Sequence, residues 1–195
     1  MTFERWYLGD GTYPPLHNGQ KVNLSFYVST NDLKIDNTQL CYFKQLYNSD
    51  YSFCGQIIRN YQDEDSQLVI IDTSTVKFYI ELPIQEFKAV VGQFVSGTGQ
   101  LLVDYYMWVE NLENYQNPPN LFYNFIVDKI REVIVPEKYI IRADRSISYP
   151  SSLSAKDYSE NDIVEVESMD NNSENISFYL LDLKEIAEDV PRTFY

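Results

Sequence analysis

The clearest pattern along the chain is an alternation over residues 22–28. Val22, Leu24, Phe26 and Val28 fall on one side, and Asn23, Ser25 and Tyr27 on the other. Successive side chains of a strand point to opposite faces, so a period of two predicts a half-buried strand. A turn-rich stretch from Pro14 to Gln20 leads into it, and Asn31-Asp32 and Asp36-Asn37 mark turns after it.

Other apolar runs extend this reading. Residues 40–43 and 53–58 predict two strands around Asn48-Ser49-Asp50. Residues 68–71 and 76–82 predict a hairpin around Asp72-Thr73-Ser74, stopped by Pro83 because proline has no N–H for a ladder. Residues 100–109 read as one long aromatic strand, and the Asn- and Pro-rich residues 111–120 as a loop. Residues 163–167 and 176–183 read as a hairpin around Asp170-Asn171-Asn172-Ser173, with room for a short helical turn over 183–186. In the first of these strands Val164 and Val166 are expected to point inward, and Glu165 and Glu167 outward.

Residues 121–135 satisfy two patterns at once. Phe122, Phe125, Ile126, Ile130, Val133 and Ile134 fit one helical face, and Pro118-Pro119-Asn120 is a usable helix start. Yet Ile126, Val127, Ile130, Val133, Ile134 and Val135 are β-branched, which favours a strand. Gly19-Gln20-Lys21-Val22 and Gly92-Gln93-Phe94-Val95 resemble each other, each opening a strand region where glycine allows a sharp turn. Four positions, three of them identical, raise a duplicated β unit without establishing one.

The expectation is therefore one mainly β domain over residues 1–195, an antiparallel sheet built as a sandwich or partly open barrel. A helix near 121–134 would make it α+β. Ser151-Ser152-Leu153-Ser154-Ala155 is the best linker candidate.

Composition supports a folding chain. Of 195 residues, 44% are hydrophobic, and 17 Tyr with 11 Phe favour pleated, half-buried surfaces. The N-terminal residues carry charge where the apolar core of an export signal would begin, and no apolar run approaches the roughly 20 residues of a membrane span. A cytoplasmic location is expected, Cys41 and Cys54 are expected as reduced core thiols, and the three Asn-x-Ser matches at Asn23, Asn171 and Asn175 are read as chance.

Charge sharpens the picture most. The net charge is −14. Residues 1–60 are neutral overall, whereas residues 157–189 hold eleven acids against Lys184 alone. Such a field repels nucleic acid, whose affinity comes from Lys and Arg on phosphates, and it attracts basic proteins.

The candidate chemistry is sparse. His17 is the only histidine, no Gly-x-Ser-x-Gly accompanies a serine, and Gly9-Asp10-Gly11-Thr12 lacks the Lys of a phosphate loop. Two Cys and one His cannot complete the usual structural zinc site. Asp63-Glu64-Asp65 lacks the spaced ligands of a calcium loop. No catalytic residue, metal or cofactor is therefore assigned. The first functional expectation is an acidic inhibitor of a basic protein such as a nuclease toxin, in the manner of a bacterial immunity protein. Glu160, Asp162, Glu165, Glu167, Asp170 and Glu174 would form its binding face. The alternative is a small-ligand or carbohydrate-binding β module. It would use an aromatic pocket of Asp104, Tyr105 and Trp108, since an acid inside an apolar run needs either a partner or exposure.

Overall fold

The computed structural model describes residues 1–105, 107–134, 162–170 and 177–193. Among these the protein is mainly β, with eleven strands and two short helices. Tyr106, the linker candidate at 151–155, Val135, Glu160, Glu174 and the Asn171-Asn172-Ser173 turn lie outside the described residues. The chain divides into two compact units, the first formed by Met1–Leu24 with Tyr123–Tyr195 and the second by Ser25–Phe122.

In the second unit, β4 (Tyr42–Tyr47) and β5 (Asp50–Gln62) form a hairpin around Asn48-Ser49. β5 continues into a second hairpin partner, β6 (Ser66–Asp72), which pairs in turn with β7 (Lys77–Pro83). β8 (Phe94–Val103) lies antiparallel to the short β3 (Lys34–Ile35), to β5 and to the later part of β2 (Lys21–Ser29). β2 also meets β7 in parallel at Tyr27 and Tyr79. Along β2 the apolar positions Val22, Leu24, Phe26 and Val28 are buried as expected, and Asn23 and Ser25 on its other face are buried too. One core cluster of this unit gathers Leu68, Ile70, Tyr79, Trp108 and Leu121.

In the first unit, β9 (Phe122–Ile134) is flanked by β10 (Ile163–Val166) and β11 (Ser177–Glu185), and β1 (Thr2–Glu4) pairs with β11. The helix reading of 121–134 is thus corrected to a strand. The helix-like spacing has a specific cause. Pairing with β11 skips Asp128, a bulge that inserts one residue. The insertion returns Val127 and Ile130, three apart and both fully buried, to a common side. The predicted hairpin of 163–167 with 176–183 is corrected as well. Each segment pairs with β9 and not with the other, because β9 offers an open ladder on either side. Residues 183–185 continue β11 instead of turning into a helix.

The predicted strand over 100–109 also stops early. β8 ends at Val103, and Met107–Glu110 form the helical turn α2, since the first unit's Trp6–Gly9 is α1. Asp104 is the reason. Its carboxylate accepts the backbone N–H groups of Trp108, at 3.3 Å, and of Val109, so it caps a turn instead of extending a ladder. Cys54 is buried, but Cys41 is exposed just ahead of β4, so only one of the two free thiols belongs to the core.

The two Gly-x-x-Val segments mark a repeat of local architecture. Gly19 and Gly92 both have positive φ, at 81° and 93°. Gly19 N–H donates to Val127 C=O at 2.8 Å, and Val127 N–H donates to Gln20 C=O at 2.9 Å. In the second unit Gly92 N–H donates to Ile57 C=O at 2.8 Å, and Ile57 N–H to Gln93 C=O at 2.9 Å. Val127 and Ile57 are each followed by a bulge, toward β11 and β6 respectively. Each unit therefore holds three strands paired in a row, the first of them bulged, and a glycine-opened strand that bonds back to the bulged one. In the second unit these are β5, β6, β7 and β8, consecutive in sequence. In the first they are β9, β11, β1 and β2, drawn from both ends of the chain.

Candidate functional site

The expected acidic face lies in the first unit, and its described part is held firmly. Glu165 is exposed on β10, which ends at Val166, so Glu167 stands on the bend beyond the strand and not two places along it. The strand stops there because the loop before β2 takes over its pairing. Asn18 N–H donates to Glu167 C=O at 2.9 Å, Met169 N–H donates to Leu16 C=O at 2.9 Å, and His17 bridges Ser168. The Asn18 side chain adds a bond to Val166 C=O at 3.3 Å and one to the Glu167 carboxylate at 3.4 Å. Asp170 is pinned by Tyr179, whose hydroxyl both accepts from Asp170 N–H and donates to Asp170 C=O, each at 3.0 Å. Glu167 and Asp170 are exposed, and Asp162 is partly buried at the start of the segment. His17 is thus an exposed loop residue that fastens this segment.

The local charge is weaker than the sequence segment suggests. Lys129 lies 3.4 Å from Glu165, Arg131 lies 2.6 Å from Asp182, and Lys21 lies 2.6 Å from Glu188. These cations come from outside 157–189, brought in by strand pairing and loop contacts. Lys184, the one base within the segment, faces outward to Asp128 at 2.7 Å. The registers set Asp182 opposite Lys129 and Glu165 opposite Arg131, and each acid reaches the other cation on the diagonal, which local counting cannot see.

The second unit holds the other candidate. Asp104 is fully buried. Besides the two amides, it accepts the hydroxyls of Tyr79 at 2.6 Å and Ser25 at 3.1 Å. Burial pushes its carboxyl above the usual range even against these donors. Burial and the adjoining Asp104 push the Tyr79 hydroxyl well up, so it remains a donor. Trp108 is fully buried as well, stacked near Tyr79 and Tyr115. The ligand pocket of Asp104, Tyr105 and Trp108 is therefore corrected. Two of the three present no surface, because the capped turn folds them inward against β7.

A cleft of about 510 Å³ lies beside that cluster. Its aromatic wall is Tyr61 and Tyr115, stacked at 4.3 Å and 24°. Its acids are Asp63, at the β5–β6 turn, and Glu81 of β7. The Tyr105 hydroxyl donates to the Glu81 carboxylate at 2.8 Å and is pushed up strongly by burial and by that acceptor, so it stays protonated and positions Glu81. Burial also raises the Tyr61 and Tyr115 hydroxyls. Sequence reasoning found the neighbourhood but not these residues. The one available signal was Lys77, Tyr79 and Glu81, polar positions that alternate with the apolar residues of one strand; Tyr115 sits in an Asn-rich loop and gave none.

Compared with known proteins, the chain matches no family model, no curated protein and no solved structure. Among the described residues, no helix is long and apolar enough to cross a membrane. What fold and sites define is a mainly β protein with one fastened acidic segment and one acid-lined aromatic cleft.

Proposed function

We propose that this protein is a binding module that sequesters a basic protein, a nuclease toxin being the partner that suits it best, as an immunity protein would. The observation that carries the reading is the segment from Glu165 to Asp170. The backbone that carries its exposed carboxylates is held by bonds to residues 16–18 and to Tyr179, so little backbone entropy is lost when a partner docks. Carboxylates make charge-assisted bonds to Arg and Lys, and in a nuclease they would occupy the positions that bind substrate phosphate. The net charge of −14 adds long-range attraction and speeds encounter. The same reading makes the protein a binder and not an enzyme, acting in the cytoplasm of a bacterial cell.

The test compares the wild type with a Glu165→Lys/Glu167→Lys/Asp170→Lys variant. Both are immobilised, the captured protein is identified, and it is then titrated against each form. The expected partner is basic, releases with salt, and binds the variant about 100-fold more weakly, as loss of interfacial charge pairs implies. Equal affinity for a folded variant overturns the reading.

A second reading, a module for small polar or carbohydrate ligands, has one observation in its favour, the cleft of the second unit. It rests now on Tyr61 and Tyr115, since Trp108 is inside the core.

A further inference from the structure

The cleft in the second unit has an unusual balance of hydrogen-bonding groups. Among the described residues, no Lys or Arg lines it. Its asparagine amides already bond to the wall. Asn60 Nδ2 donates to Gln67 Oε1 at 3.2 Å and to Ala89 C=O at 3.1 Å. Asn111 Nδ2 donates to Met107 C=O at 2.9 Å, and Asn114 Nδ2 to Asn111 Oδ1 at 3.4 Å. The Tyr61 hydroxyl reaches Gln116 C=O at 3.5 Å. Gln62 and Ser66 are the remaining neutral polar side chains of the lining.

Acceptors remain. They are the carboxylates of Asp63 and Glu81, and Glu110 and Glu113 stand next in sequence to the lining residues Asn111 and Asn114. Arg59, which meets the Tyr61 hydroxyl, is not among the lining residues. An anion is excluded by this charge. A sugar hydroxyl both donates and accepts, and the asparagine donors of the wall are turned away from it. A guanidinium or ammonium only donates, and tyrosine rings attract it further.

We propose that this cleft seats a cationic side chain, an arginine of a basic polypeptide, between the carboxylates of Asp63 and Glu81 and beside the Tyr61–Tyr115 stack. The proposal rests on the reading of the protein as a binder of basic proteins and names a recognition element for it. Tyr105 acts as a positioning residue, since it touches Glu81 and not the guest.

The probe is a short acetylated peptide with one arginine among Gly and Ser, titrated into the full chain and followed by the side-chain amide signals of Asn111 and Asn114. A matched peptide carries citrulline, which has the same shape without the charge. The arginine peptide should shift these signals saturably. Citrulline, and Glu81→Gln or Asp63→Asn, should each weaken binding about tenfold, as loss of a charge-assisted contact implies. Both acids are exposed, so these variants keep the fold. Equal binding of the citrulline peptide, an unchanged affinity in both variants, or saturable binding of neutral monosaccharides in place of the peptide overturns the proposal. The triple lysine variant of the first unit separates the two ideas. Peptide binding that survives in it, with partner binding also unchanged, leaves the cleft proposal standing and removes the acidic-segment reading. A partner lost from the triple variant, with no peptide shift in the wild type, does the reverse.

Discussion

Asp104 has no surface open to water, and four protein donors converge on it from Ser25, Tyr79, Trp108 and Val109. Removing the carboxylate orphans two hydroxyls in the core, so Asp104→Ala should cost about 3 kcal/mol or more in denaturant unfolding. Asp104→Asn is the sharper probe, because it keeps the shape and removes the titration. The folded carboxyl sits above its ordinary value, so the folded state holds its proton more tightly than the unfolded chain. That contribution is complete below the unfolded pKa of about 4 and is lost as pH rises through the folded value. Wild-type stability should therefore fall relative to Asp104→Asn as pH climbs from about 4. A constant difference between the two across that range would show that burial does not govern this group. Sequence alone flagged Asp104 as misplaced in an apolar run. It could not supply the partners, which lie 79 and 25 residues away in the chain.

At the scale of elements, Gly19 and Gly92 do the same work in two places. Each turns the chain with positive φ and clamps it to a buried β-branched residue before a bulge. A Cβ added there meets no neighbour, so the cost of alanine is conformational alone. Gly19→Ala and Gly92→Ala should each destabilise by about 1–2 kcal/mol in chemical unfolding, the penalty of left-handed backbone for an L-residue. A neutral result at either position would mean that its turn can relax without loss of the clamp. The glycines, their spacing to Val22 and Val95, and the hairpin of β6 and β7 were readable locally, since turn chemistry and alternation are properties of short segments. The β9 assignment was not, because its bulge displaces the alternation by one residue and imitates a helical period. The pairing of β10 and β11 was not either. Two segments that look like hairpin arms each found a better partner in β9, earlier in the chain, and only the three-dimensional register decides that.

For the molecule as a whole, charge is the dominant property. The first unit carries ten basic and seventeen acidic residues and the second five and twelve, so each bears −7. Like charge of this size opposes compaction, and salt screens it over a Debye length of about 8–10 Å near physiological ionic strength. The melting temperature should therefore rise as sodium chloride is raised from low millimolar to about 0.2 M. The pairs Lys129–Glu165, Lys184–Asp128 and Lys21–Glu188 are exposed and contribute little to offset this. A falling melting temperature over that range would assign them a larger role than exposure suggests. The sequence by itself determined the mainly β character, the strand-opening glycines, the acidity and the absence of local catalytic motifs, because each is written in composition or in short-range period. Only the tertiary structure decided which acids meet Lys129 and Arg131, that Trp108 faces the core, and that Tyr61, Glu81 and Tyr115 share a cleft. Those are long-range pairings, set by strand register and by the burial that register imposes.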